Sequence, residues 1–122
     1  MITKFAKRLL KGLAPAIYGD GRQTRDFISV GDVVDTIILS IKSMEDFKNK
    51  VTAFPALFNV GTGTPTSINQ LAQKMIEIFE LNLQPVYEKA REASFDIMHS
   101  YDDNTMAKQN LKFVAKKGIE ID

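Results

Sequence analysis

The chain has 122 residues, with 16 Lys and Arg against 15 Asp and Glu, a formal net charge of +1, and 44% hydrophobic residues. That suits one domain with a modest core, and the even charge gives no electrostatic case for binding nucleic acid or an anionic membrane. The absence of cysteine excludes disulfides and thiolate chemistry, and no apolar run approaches the length of a bilayer span. The basic, amphipathic first 13 residues have no continuous apolar stretch or cleavage site, so they do not read as a secretory signal. A cytoplasmic location is compatible with these features.

Residues 2–13 place Ile2, Phe5, Leu9, Leu10 and Leu13 at helical spacing, with Lys4, Lys7, Arg8 and Lys11 between them. Gly12 and Pro15 end that helix. Ala16-Ile17-Tyr18 reads as a short strand and Gly19-Asp20-Gly21 as a tight turn. Asp26 to Val30 reads as a second strand. A helix is expected from Asp32, as N-cap, to Met44, with an apolar stripe of Val33, Val34, Ile37, Ile38 and Ile41. Residues 45–55 read as a loop and 56–60 as a buried strand. Ser67-x-x-Gln70 is a capping-box pattern opening a helix that runs to about Glu80, with Ile68, Leu71, Ala72, Met75, Ile78 and Phe79 inward. Pro85-Val86-Tyr87 suggests a strand. A last helix spans about Asn104 to Asn110, with Met106 and Leu111 inward. The expected fold class is a small mixed α/β domain of about four helices and short strands.

Three constellations carry possible chemistry. The first is Tyr18-Gly-Asp-Gly-Arg22-Gln-Thr-Arg25-Asp26-Phe27. Its turn sits beside two guanidinium groups, whose forked donors match phosphate oxygens; a surface hairpin with solvated charges is the competing reading. The second is Phe58-Asn-Val-Gly61-Thr-Gly63, glycines between a strand and a helix. That order suits an anion at a helix N-terminus or a turn that lets the helix pack. It is not a dinucleotide fingerprint, because the third glycine is missing. The third joins Arg91, Asp96, His99 and Ser100. Arg91 suits a phosphate and Asp96 a sugar hydroxyl. His99 has neither a metal set nor a triad around it and reads as a solvent-facing or loop-packing residue. Asp102 and Asp103 lack the glycine and terminal Glu of a calcium loop and fit an acidic helix N-terminus better.

In order and spacing these segments resemble the C-terminal, substrate-binding region of the extended short-chain dehydrogenase/reductase family, UDP-glucose 4-epimerases above all. The likeness runs through Ile17-Tyr18-Gly-Asp-Gly, Arg25-Asp26-Phe27-Ile28-x-Val30-x-Asp32-Val33, Phe58-Asn59-Val60-Gly61-Thr-Gly63, Ser67-Ile68-x-x-Leu71-Ala72 and Arg91…Asp96-x-x-x-Ser100. It implies a Rossmann-type enzyme of which this chain, residues 1–122, is a single substrate-binding domain without the NAD-binding domain. By that resemblance Arg25 and Arg91 grip a nucleotide diphosphate, Ala16 and Tyr18 line a uracil pocket, Asp96 follows the second arginine, and Ser100 gates the sugar pocket. The family pattern Arg-x-Gly-Asp is two residues longer here and lacks the glycine. A serine at position 100 leaves room for N-acetylated sugars.

The family's chemistry is a reversible hydride transfer at sugar C4 through a 4-keto intermediate, with NAD doing the redox work and a Tyr-x-x-x-Lys pair the acid/base work. Tyr18, Tyr87 and Tyr101 are followed four positions on by Arg22, Arg91 and Thr105, never lysine. The chain alone is therefore expected to bind no NAD and to turn over no substrate. The same resemblance extends to nucleotide-sugar dehydratases and decarboxylases, and a non-catalytic binding or assembly module remains an alternative. Implied partners are a UDP-sugar, the missing NAD-binding domain and, from the apolar stripe, further copies of the chain.

Overall fold

The structure, a computed structural model, describes residues 1–47, 57–90, 97–116 and 118. These residues hold four helices and four short strands, an α/β arrangement as expected. They fall into two compact units, one of Met1–Arg25 with Pro65–Ser100 and the other of Asp26–Thr64 with Tyr101–Asp122.

In the first unit, α1 (Ile2–Leu9) leads into β1 (Ala16–Tyr18). The helix is shorter than its apolar spacing suggests. Gly12 takes a φ of 67°, which an L side chain resists, and Leu10 and Leu13 are exposed. β1 pairs in parallel with β4 (Val86–Glu88). β2 (Thr24–Arg25) pairs antiparallel with β3 (Thr66–Ser67). From β3 the chain enters α3 (Ile68–Ile78) through a full capping box: Ser67 accepts from the Gln70 amide, and the Gln70 side chain accepts from the Ser67 amide. Both orphan donors at that helix start are thereby satisfied. The core is Phe5 and Leu9 of α1, Ile17 of β1, and Ile68, Leu71, Ala72, Met75 and Ile76 of α3. Ile76 replaces the expected Ile78, which is exposed.

In the second unit, α2 (Val30–Phe47) packs with α4 (Thr105–Leu111). Ala107, Leu111 and Phe113 are buried there against Ile28, Leu39, Phe58, Val60 and Ala115. Met106, expected inward, is exposed and Ala107 takes its place. The strand expected over 26–30 is absent. Thr24 and Arg25 form the ladder with β3, and α2 begins already at Val30. Ser29, not Asp32, is the cap: its hydroxyl accepts from the Asp32 amide at 3.1 Å. Asp32 is itself buried, and its carboxylate accepts from the Lys116 amide at 3.1 Å. Thr36 and Ser40 return their hydroxyls to carbonyls four residues earlier, a local pairing that lets a helix bury hydroxyls. The stripe of Val34, Ile37, Ile38 and Ile41 is exposed. No strand forms over 57–60 in the described residues. No helix among them is long and apolar enough to cross a membrane.

Candidate functional site

Strand β1 has two unlike edges. Toward β4, Pro15 C=O accepts from Val86 N–H and Gly19 N–H donates to Glu88 C=O. In a parallel ladder alternate residues bond to the same neighbour, so Ala16 and Tyr18 direct their peptide groups to the opposite edge. There the Tyr18 carbonyl accepts from the Gln23 amide nitrogen at 2.9 Å. A cleft of about 200 Å³ opens on this edge, with Ala16, Ile17, Tyr18 and Gln23 on one side. Met1 before α1, Lys4 and Phe5 of α1 and Ile68 of α3 complete it. The floor is apolar, since Phe5, Ile17 and Ile68 are all buried, and the polar groups are few, as in small-molecule sites generally.

The turn after β1 is held from α3. Gly19 and Gly21 take φ of 76° and 73°. Asn69 donates to the Asp20 carbonyl at 2.9 Å, and its own amide donates to Gly21 C=O at 3.0 Å. Tyr87 donates its hydroxyl to Asn69 at 3.1 Å. A Cβ on Gly21 would lie 2.0 Å from Asn69 Oδ1, so the glycine is needed for space as well as for φ.

The two arginines of the first constellation part company. Arg22 lies on the surface, 3.7 Å from the Asp20 carboxylate with both side chains largely exposed, which is the solvated-hairpin reading. Arg25 is half-buried and donates Nη1 to its neighbour's carbonyl, Thr24 C=O, at 2.7 Å. Ser100 reaches the same strand, its amide donating to Thr24 C=O at 3.2 Å while Thr24 N–H donates to Met98 C=O at 2.8 Å. His99 Nδ1 lies 3.0 Å from the Thr24 hydroxyl, so it packs a loop, as expected. Ala16 and Tyr18 thus lie at the cleft, and Arg25 and Ser100 meet at β2. Arg91 and Asp96 lie outside the described residues.

The glycine loop of the second constellation already holds an anion, the protein's own Asp26. Asp26 Oδ1 accepts from the Thr62 amide (3.1 Å) and the Thr62 hydroxyl. Oδ2 accepts from the amides of Gly63 (2.8 Å) and Asp102 (3.4 Å). Burial pushes the Asp26 carboxyl up, but these donors outweigh it and hold the pKa below 3.8. Gly61 fits because it has no side chain: a Cβ there would lie 2.6 Å from Asp102 Cβ and 2.6 Å from Asp26 Oδ2. NAD's pyrophosphate needs converging amides with no prior partner. In this loop Asp26 has taken them, so the loop does not fit that cofactor. Asp103, one residue before the Asn104 cap of α4, accepts from the Thr105 amide at 3.0 Å. Hydrogen bonds from Thr105 hold its carboxyl below 3.8. That is an acid at a helix start, and no group of three or more potential metal ligands occurs among the described residues.

Lys4 and Asn69 escaped sequence reasoning, and Gln23 and Asp26 stood in the first constellation without a role assigned to them. Asn69 carried a faint signal as a polar residue in the first turn of a capped helix; Lys4 carried none beyond residue type.

Residues 1–61, half of the chain, match the NAD dependent epimerase/dehydratase family. A putative UDP-glucose 4-epimerase of Methanocaldococcus jannaschii is 35% identical over 92 residues, covering 75% of this chain and 27% of that protein. The solved UDP-glucose 4-epimerase of Thermotoga maritima, with UDP-glucose, aligns at 33% identity and a TM-score of 0.76, covering 94% of this chain and 34% of that one. A UDP-N-acetylglucosamine 4-epimerase from Methanobrevibacter ruminantium M1, in complex with UDP-N-acetylmuramic acid, aligns at 30% identity and a TM-score of 0.78, covering 95% and 34%. The chain spans about a third of the length of these relatives. On the match over its first half, the chain belongs to the NAD dependent epimerase/dehydratase family.

Proposed function

We propose that this chain is the UDP-sugar-binding, C-terminal portion of a nucleotide-sugar 4-epimerase. The observation that carries the reading is the cleft along the edge of β1, where the peptide of Ala16 faces a cavity floored by Phe5, Ile17 and Ile68. A strand edge offers alternating donors and acceptors, the pattern a planar imide such as uracil presents in return. Arg25 on β2 supplies the diphosphate contact, with Arg91 as its partner. Ser100, tied to the same strand, supplies the sugar contact, and the resemblance assigns Asp96 to the same ligand. A serine at that position admits an N-acetyl group, in keeping with the N-acetylated sugar nucleotide named for the Methanobrevibacter ruminantium structure.

NAD belongs to the complete enzyme in this proposal and is held by residues outside this chain, since the Gly61–Gly63 loop is filled by Asp26. The cofactor supplies the hydride chemistry; residues 1–122 bind and orient the nucleotide sugar as one substrate-binding domain. The exposed Val34, Ile37, Ile38 and Ile41 of α2 form the face on which the NAD-binding domain closes. In the chain alone the same face drives self-association.

The test is a titration of UDP followed by amide NMR shifts, with Arg25→Ala as control. Shifts at Ala16, Tyr18, Arg25 and Ser100 that are lost in the variant support the site. No binding at millimolar UDP would remove the nucleotide reading from the chain on its own.

A further inference from the structure

The even overall charge conceals a local segregation. Residues 1–19 contain Lys4, Lys7, Arg8 and Lys11 and no acid. Arg8 is engaged within the fold, its Nε donating to Ala14 C=O at 2.6 Å. Lys4, Lys7 and Lys11 recur at i, i+3 and i+7, the spacing of one helix face, and all three are exposed. No ion pair among the described residues involves them. We propose that this basic face of α1, with the turn that ends the helix, docks the protein on the surface of an anionic lipid bilayer.

The turn supplies the apolar part. Leu10 is 76% and Leu13 49% exposed, while Phe5 and Leu9 are buried in the core. A Cβ on Gly12, between the two leucines, would meet no atom within 4 Å, so the turn stands clear of the fold. Its backbone donors are already paired: the amides of Leu10, Lys11, Gly12 and Leu13 donate to the carbonyls of Ala6, Arg8, Leu9 and Arg8 at 2.9 to 3.0 Å. Such pairing is what a segment needs where water is scarce. Leucines beside lysines suit the boundary between headgroups and acyl chains. The composition selects a bilayer over other acidic partners. Protein interfaces are poor in lysine and rich in arginine and aromatic residues, and single-stranded nucleic acid is held by aromatic stacking. The exposed residues of 2–13 include no aromatic residue and no arginine. A lysine ammonium is a point charge that needs no fixed geometry, which suits headgroups that move laterally, and each one near an anionic surface raises partitioning about fivefold.

The experiment is co-flotation of the whole chain with vesicles of phosphatidylcholine alone and of phosphatidylcholine mixed with phosphatidylglycerol. The variants are Lys7→Gln with Lys11→Gln, and Leu10→Ser with Leu13→Ser, with circular dichroism melts as a folding control; Lys4 is left in place because it also lines the cleft. The expected result is binding to the mixed vesicles and not to phosphatidylcholine alone. The lysine variant should bind about 25-fold more weakly and the leucine variant about tenfold more weakly. No binding to the mixed vesicles, or equal binding to both kinds, overturns the proposal. Binding unchanged in the lysine variant also overturns it and assigns the contact to another surface, such as the apolar stripe of α2. Binding unchanged in the leucine variant overturns the role given to the turn. Tighter binding to a single-stranded RNA oligonucleotide than to the mixed vesicles, lost in the lysine variant, overturns the bilayer as the partner of this face.

Discussion

Replacing Asp26 by asparagine changes one oxygen to an NH₂ group and little else in shape. The native carboxylate accepts from four donors: the amide and hydroxyl of Thr62 and the amides of Gly63 and Asp102. In whichever orientation the amide settles, one of its two positions becomes a donor facing donors. The two hydrogen bonds received by that position are lost, and with them the charge that strengthens the others. At about 1.5 kcal/mol for each bond to a charged acceptor, the cost is about 3 kcal/mol. The half-exposed site lets water recover part of it, which leaves about 2 kcal/mol. Urea denaturation at near-neutral pH should show the midpoint of Asp26→Asn lower by about 1 M at an unchanged slope. The pH dependence supplies the sign. The folded Asp26 pKa lies below its ordinary value, so its contribution is complete above the unfolded carboxyl pKa and disappears as pH falls through the folded one. Asparagine does not titrate. The stability gap between the two proteins should therefore close as pH is lowered below about 3.8. A gap that stays constant to about pH 2, or a variant within about 0.5 kcal/mol of the native chain at neutral pH, would refute the reasoning.

Gly61→Ala forces a methyl to within 2.6 Å of Asp102 Cβ and Asp26 Oδ2. It should cost about 2–3 kcal/mol in chemical denaturation, and the added change Asp102→Gly, which removes that Cβ, should show a favourable coupling in a double-mutant cycle. Ile37→Lys together with Ile41→Lys places two charges on the exposed face of α2, where the native side chains are 56% and 60% exposed. Light scattering at high concentration should show less self-association than in the native chain, with helix content unchanged by circular dichroism. Mass that does not fall would assign any oligomer to another surface.

Much of what is local was legible in the residues. The capping box at Ser67 and Gln70 formed as read, because its hydrogen bonds span three residues and need nothing else. The Gly19-Asp20-Gly21 turn formed because two positive φ values are available to glycine at low cost. The inward faces of α3 and α4 followed their spacing except at Ile78, two positions from the buried Ile76, and Met106, one from the buried Ala107, where nearby apolar residues competed for the same core. The order of the segments was enough to point to the family. His99 read correctly as a loop residue because nothing around it could form a triad or a metal set.

What the tertiary structure decided was every pairing between distant residues. Asp26 to Val30 has the residue types of a strand, but a strand exists only where a partner supplies hydrogen bonds. Thr24 and Arg25 find theirs in Thr66 and Ser67, while Asp26 spends its carboxylate on Thr62, 36 residues away. The same contact settles the glycine loop, whose composition fits a bound phosphate or a packed turn equally well; its amides are filled by a side chain that no local window contains. Serine took the cap of α2 from Asp32 for a related reason. Asp32 is drawn inward to accept from the amide of Lys116, 84 residues on, and a buried carboxylate holds its place only with such a partner. Sequence periodicity reports which residues are apolar, and folding decides which of them find cover. On α2 the apolar stripe is exposed while Asp32 and Thr36 are buried, because their hydrogen bonds are satisfied within the chain.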